Sequence, residues 1–226
     1  MTIDSASRTR LLLFACFIFF VLAFPTGILN IAWTSMQVSF GVPLDALGIL
    51  LLATTAGSLI TTFFSGRLID RLGMGNYLFT GSVLAALGFL GYTIVPAWAA
   101  LLLAAFVAMV GFSMFNAGLN TFVSAHYTTG QLNWLHAAYA FGITVAPTLA
   151  TFTIENMGQS WHFSYGIVFA VTLVIVAVLF FTRKRWTLDP ADSAGAPVGR
   201  SRLLDALRLP AVLRGVALFF ISSGVI

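Results

Sequence analysis

The sequence predicts an all-α membrane protein: a bundle of six transmembrane helices arranged as a 3+3 inverted repeat, followed by the start of a seventh helix. Three observations carry this reading. Of 226 residues, 59% are hydrophobic and only 8% charged, against roughly 25% charged in an average soluble domain, so a soluble fold is excluded. Apolar runs fall at about 11–36, 46–65, 76–95, 98–123, 132–153 and 163–182, each near the ~20 residues that span a bilayer. With six alternating spans, all 11 Lys and Arg lie on one side of the membrane, and the positive-inside rule makes that side cytoplasmic. The N-terminus is therefore expected in the cytoplasm, and a miscount of one span would scatter the charges over both faces.

The first span follows Arg8 and Arg10, a start that imitates a signal peptide. It lacks a small-x-small cleavage site and runs past the ~7–15 residues of an h-region, so it is read as a helix that stays in the membrane. Cys16 is the single cysteine, which excludes an intrachain disulfide. Pro25 interrupts this span, and a freed carbonyl there must find a partner in protein or water. Beyond it Asn30, Trp33, Thr34 and Gln37 follow i, i+3, i+4, i+7 spacing and share a face.

The second span ends in a charged octapeptide, Gly66-Arg67-Leu68-Ile69-Asp70-Arg71-Leu72-Gly73. An Arg at the bilayer centre costs about 2.5–3.5 kcal/mol, so Arg67 and Arg71 must lie outside the hydrocarbon, and the helix is expected to stop near Gly66. Gly66 and Gly73 allow close approach or a positive φ. Asp70 can pair with either arginine or cap a neighbouring helix. In the third span Gly81, Gly88 and Gly91 place small residues on one face for close helix contact. Val95-Pro96-Ala97 makes a very short external turn, so the third and fourth spans form an antiparallel hairpin.

In the fourth span Ser113, Asn116 and Asn120 share a face, and Gly118-Leu119-Asn120 echoes Gly27-Ile28-Leu29-Asn30 of the first. Three spans separate the copies, so they run oppositely, as in an inverted repeat. From the run lengths Asn30 and Asn116 each lie roughly 10 Å past the midplane, on opposite sides. The loop 124–131 carries His126 but no Lys or Arg. In the fifth span Asn133 and His136 begin a face that continues through Ala140 to Thr144, and Pro147 interrupts the helix. His136 reads as a hydrogen-bonded structural residue or as a proton carrier, with no acidic partner in its span. After the sixth span a polar stretch, 183–209, reads as a cytoplasmic linker. The run 210–226 reads as the start of a seventh span that the sequence does not complete. The expected domains are thus a bundle at 1–182, a linker at 183–209 and a partial helix at 210–226.

Polar side chains within a span are costly and tend to face the bundle interior. Asn30, Trp33, Thr34, Gln37, Ser113, Asn116, Asn120, Asn133 and His136 are therefore the candidate cavity residues. Amides and a ring facing one cavity suit a neutral polar solute with an apolar face, such as a sugar, polyol or drug-like molecule. The competing reading is that these groups bind helix to helix, worth only ~0.6 kcal/mol on average.

The octapeptide resembles the signature loop of the major facilitator superfamily, G-x-L-x-D-R-x-G followed by basic residues. Gly66, Leu68, Asp70, Arg71 and Gly73 match; Met74 and Gly75 stand where that family usually has Arg or Lys. Asn116-Ala117-Gly118-Leu119-Asn120, Leu132-Asn133-Trp134-Leu135-His136 and Pro147 resemble the fourth and fifth helices of its fucose-permease-like branch. The resemblance implies the N-terminal half of a twelve-helix secondary transporter in the plasma membrane. It also implies a small organic solute, with or without a coupling ion, and a second six-helix half as partner. By the same resemblance Gly66, Asp70, Arg71 and Gly73 form a gating loop that helps close the cytoplasmic side. Carboxylates carry the proton in the first and fourth helices of that branch. Asn30 and Asn116 hold those places here, so proton coupling through this half is not expected.

No cofactor or metal is implied, and the net charge of +4 is explained by the cytoplasmic loops and not by a nucleic-acid partner. Two other classes compete with the transporter reading. An intramembrane serine protease would pair Ser113 with a His, but Gly111-Phe112-Ser113-Met114 lacks the second Gly of a rhomboid-type motif. A non-enzymatic sensor or scaffold would need no polar cavity, so substituting Asn30 and Asn116 would leave its function intact.

Overall fold

The computed structural model describes residues 5–188, and every long element among them is a helix. α1 (Ser5–Leu22) and α2 (Phe24–Phe40) form the first span, and α3 (Ala46–Leu72) the second. α4 (Met74–Ile94), α5 (Trp98–His126), α6 (Thr129–Thr151) and α7 (Trp161–Thr182) follow. The six spans are each long and apolar enough to cross a membrane. The run 210–226, and the linker from residue 189 on, lie outside the described residues.

The ends of the helices confirm the alternation that the charges predicted. The Arg8 guanidinium donates to the His126 carbonyl and lies 5.5 Å from the Tyr127 ring centroid, joining the start of α1 to the end of α5. The Tyr127 hydroxyl donates to the Arg8 carbonyl at 2.7 Å. Burial raises the pKa of this phenol, opposed by the Arg8 charge, so it stays a donor. The start of α4 lies against the Arg183 carbonyl. Arg8, Arg10, Arg67, Arg71 and the turn Arg183–Arg185 therefore gather at one basic end.

Pro25 breaks the first span as expected. It sits in the first turn of α2, where its missing N–H costs least, and the chain leaves α1 through a turn at Ala23, whose N–H donates to the Phe20 carbonyl at 3.3 Å. Pro147 behaves differently from the expected interruption. α6 runs through it to Thr151, and only at Phe152–Asn156 does the helix widen into a π turn. Gly27 makes room for it, since a Cβ there would lie 2.5 Å from the Ala146 Cβ and 3.0 Å from the Pro147 Cδ.

α4 packs on α5 and α7, α3 packs on α5, and α1 and α2 both pack on α6. The fourth span thus pairs with the second as the first pairs with the fifth, which is the pattern of a three-helix unit repeated upside down. Two glycines mark it. A Cβ on Gly57 would lie 2.7 Å from the Phe106 carbonyl oxygen, and one on Gly142 would lie 2.4 Å from that of Phe20. Phe20 precedes Asn30 by as many residues as Phe106 precedes Asn116, so the repeat relates the two asparagines. It does not relate the echoed glycines, because Gly27 meets α6 whereas Gly118 meets Tyr77 and Leu78 of α4. The α4–α5 hairpin uses its small residues as the spacing predicted: a Cβ at Gly88 would come within 2.4 Å of the Ala108 Cα, and one at Gly91 within 2.5 Å of the Ala104 Cβ.

Three expected boundaries move. α3 does not stop near Gly66. Its 27 residues make roughly 40 Å of helix, longer than the ~30 Å hydrocarbon layer, so it carries Arg67 and Arg71 out on its last turns. Gly73 ends it, with φ +75°. The loop expected at 124–131 shrinks to Tyr127 and Thr128, because Thr128 and Gln131 form a capping box that starts α6 at once. The bundle also extends past Thr182: the compact unit ends at Leu188, and Trp186, 1% exposed, packs on Phe14 and Phe122. At the other end of the molecule Trp33, Phe40, Trp98 and Trp161 form an aromatic cluster, where indoles favour a membrane interface.

Candidate functional site

Thr26, Leu51, Thr54, Tyr92, Phe112 and Tyr165 line a cavity of about 90 Å³ between α2, α3, α4, α5 and α7. Tyr92 and Tyr165 stack at its back with centroids 4.3 Å apart, and the Tyr165 hydroxyl donates to the Pro25 carbonyl at 3.3 Å, on the rim of the break in the first span. None of the polar residues singled out in the sequence lines this cavity, but two adjoin it. Asn30 follows Thr26 by one helical turn, and Asn116 follows Phe112 by one turn. Because α2 and α5 run oppositely, the two amides lie on opposite sides of the cavity level, each roughly 6 Å away along the helix axis. Both are exposed.

The remaining candidates divide by how their helices are rotated. Thr34 is exposed on α2, one turn beyond Asn30. Asn120 is half-buried, and its Nδ2 donates to the Asn116 Oδ1 at 2.7 Å, so these amides act as a pair. Asn133 and His136 are exposed on α6, where His136 meets the edge of Phe19 with centroids 6.0 Å apart. Trp33 and Ser113 are instead inside the bundle, 6% and 5% exposed, and do not share the exposed face of Asn30 and Asn116. Trp33 packs on Trp98. Its Nε1 and the Oε1 of half-buried Gln37 are buried without a hydrogen-bond partner among the described residues.

The cavity residues Thr26, Tyr92, Phe112 and Tyr165 were not singled out from the sequence. Phe112 and the tyrosine rings carry little polarity signal in a membrane helix, and the nearest cue was Pro25, whose carbonyl accepts from the Tyr165 hydroxyl. Among the described residues no group of His, Cys, Asp and Glu could hold a metal ion.

The sequence profile of the Major Facilitator Superfamily matches residues 15–226. The chain belongs to the major facilitator superfamily. Its fold is similar to a mutant of the peptide transporter POT in complex with sulfate, with a TM-score of 0.60 at 20% identity. That match covers 93% of this chain and 45% of the other. A second structure of a POT mutant gives a TM-score of 0.59, 20% identity and coverage of 94% and 47%. This chain therefore spans about half the length of these transporters. No curated protein matches it. The superfamily comprises transporters and not enzymes, which sets aside the protease alternative for Ser113.

The major-facilitator motif at 66–73 is the end of α3 and its junction with α4. Gly66 is exposed with open space where a Cβ would stand, and Gly73 takes the positive φ. Asp70 and Arg71 are exposed. Asp70 neither pairs with an arginine among the described residues nor caps α4, whose N-cap is Gly73. The structure also accounts for the departure at Gly75. A Cβ there would lie 1.8 Å from the Arg183 carbonyl oxygen, so no side chain fits. The chain instead brings the basic turn Arg183–Arg185 from α7 to the place where the motif usually has its own cations.

Proposed function

We propose that this chain is the half of a secondary active transporter that contains its first six spans, and that it moves a small organic solute by alternating access together with a second six-helix half. The observation that carries this reading is the placing of Asn30 and Asn116. They are exposed amides on repeat-related helices, one on each side of a largely apolar cavity. Amides at two levels can hold a solute's hydroxyls or carbonyls in turn, while Phe112, Tyr92 and the leucines meet its apolar face. That chemistry favours a sugar, a polyol or a drug-like molecule, in keeping with the fucose-permease-like resemblance. The acids among the described residues, Asp45, Asp70 and Glu155, lie at helix ends, so a coupling ion would be handled elsewhere. The basic end is read as cytoplasmic and the membrane as the plasma membrane.

Asn30→Leu and Asn116→Leu test the reading in proteoliposomes holding the full-length transporter. A solute polar group left unpaired costs about 1–3 kcal/mol, so each variant is expected to lose roughly tenfold or more in flux with unchanged folding and yield. Undiminished flux in both would remove the two asparagines from the solute path, and an absence of flux from the unaltered protein would favour a scaffold or sensor, which needs no polar cavity. For the gating loop, Asp70→Ala is expected to lower flux on the order of tenfold, the size of a typical coupling between states, while solute binding measured at equilibrium persists. Unaffected flux in a correctly inserted variant would remove Asp70 from that role.

A further inference from the structure

At the basic end a crevice of about 460 Å³ opens between α1 and the α5–α6 junction, lined by Arg8, Leu13, Tyr127, Gln131 and Trp134 among others. Two of its polar side chains, Arg8 and Gln131, carry N–H donors. The Arg8 guanidinium has five N–H donors, and its contacts with the His126 carbonyl and the Tyr127 ring fix the plane while leaving further N–H groups toward the crevice. The Gln131 Oε1 accepts from the Thr128 N–H at 3.1 Å, which turns its NH₂ group to the other side. None of the three acids among the described residues lines the crevice. The volume lies within the ~300–1,000 Å³ usual for small-molecule sites, and a site that offers the Arg8 and Gln131 donors, with no acid among its described lining residues, suits a phosphate.

What adjoins the crevice decides the source of that phosphate. Leu13 and Trp134 are 56% and 62% exposed, and the row continues down the bundle through Phe17, Phe20 and Phe141. Leu13, Phe17 and Phe20 follow helical spacing on α1, Trp134 and Phe141 on α6, and Phe20 stacks on Phe141 with centroids 5.7 Å apart. This bulky strip is distinct from the small, polar strip of Asn133, Ala137, Ala140 and Thr144 on the same helix. An indole beside a cation, with a partly exposed aromatic track running from them toward the midplane, matches a phospholipid's headgroup and acyl chains. We propose that the crevice is a binding site for an anionic phospholipid, with Arg8 and Gln131 on the phosphate and Trp134 beside the glycerol. The lipid then spans α1 and α6, and α6 also carries the His136 face.

The test is native mass spectrometry of the full-length protein, titrated in nonionic detergent with short-chain phosphatidylglycerol, short-chain phosphatidylcholine or inorganic phosphate. Phosphatidylglycerol is expected to be retained over phosphatidylcholine, and Arg8→Gln to weaken its retention about fivefold, the effect of one cation at a membrane surface. Arg10→Gln, on the same helix turn but not itself in the crevice lining, is expected to leave retention unchanged. Because Arg8 also holds the end of α5, Trp134→Ala serves as a second variant that spares this contact, and it too is expected to weaken retention. Equal retention of the two lipids, equal losses in the Arg8 and Arg10 variants, or unaltered retention in the Trp134 variant would overturn the site. Displacement of phosphatidylglycerol by equimolar inorganic phosphate would overturn the lipid and leave a simple anion site.

Discussion

Replacing Gly75 with arginine is expected to prevent the bundle from assembling, although a basic residue is what the family's motif usually carries at that place. The Cβ alone would lie 1.8 Å from the oxygen and 2.8 Å from the carbon of the Arg183 carbonyl. These are backbone atoms at the end of a packed helix, which cannot rotate aside as a flexible side chain would. Overpacking a tight site costs about 1–3 kcal/mol and more where the backbone must shift, out of a total stability of roughly 5–15 kcal/mol. Even Gly75→Ala meets the same contact. Size-exclusion chromatography and thermal melting of the purified variants would show it, with Gly66→Ala as the comparison, since that Cβ would enter open space. A monodisperse, wild-type-like Gly75→Arg protein would mean that α4 and α7 do not meet as described.

Gly57→Val and Gly142→Val are expected to destabilise the bundle by similar amounts. Each glycine lets a helix lie against a carbonyl of its partner, Phe106 in one case and Phe20 in the other, and the two contacts are related by the inverted repeat. A branched side chain at either would push α3 from α5, or α6 from α1. At about 1–3 kcal/mol per site, melting temperatures should fall by roughly 5–10 °C. Carbonyl-facing glycines packed this closely are also where sliding motions between helices would be transmitted, so both variants should lose flux beyond what the fall in stability explains. A ruinous effect at one site beside a harmless one at the other would argue that the two helix pairs are not equivalent.

The two asparagines illustrate how sequence and structure divided the site. Their polarity within apolar runs marked them, and their opposite displacement from the cavity level follows from counting residues along helices that run in opposite senses. Trp33 and Ser113 had the same helical spacing relative to them and yet lie inside the bundle. Helical periodicity places residues on a common arc but leaves open which way that arc points. Gly75 shows the same division from the other direction: comparison of motifs marks it as a departure, and only the neighbouring end of α7 explains it. Trp186 stood in a stretch whose composition reads as linker, and its burial against Phe14 and Phe122 depends on contacts far along the chain.

The sequence by itself determined the six spans, the gathering of the described cations at one end of the bundle, the hairpin at Pro96 and the small-residue contact of α4 with α5. These follow from transfer energies and backbone stereochemistry, which sum along the chain and need no knowledge of neighbours. Tertiary structure alone decided where α3 ends, how each helix is rotated, and which aromatics line the cavity between α2 and α5. The reason is physical: helices apolar on nearly every face gain almost the same energy from lipid at any rotation. Rotation is then set by packing against other helices, at glycines such as Gly57, Gly75 and Gly142, where one backbone meets another.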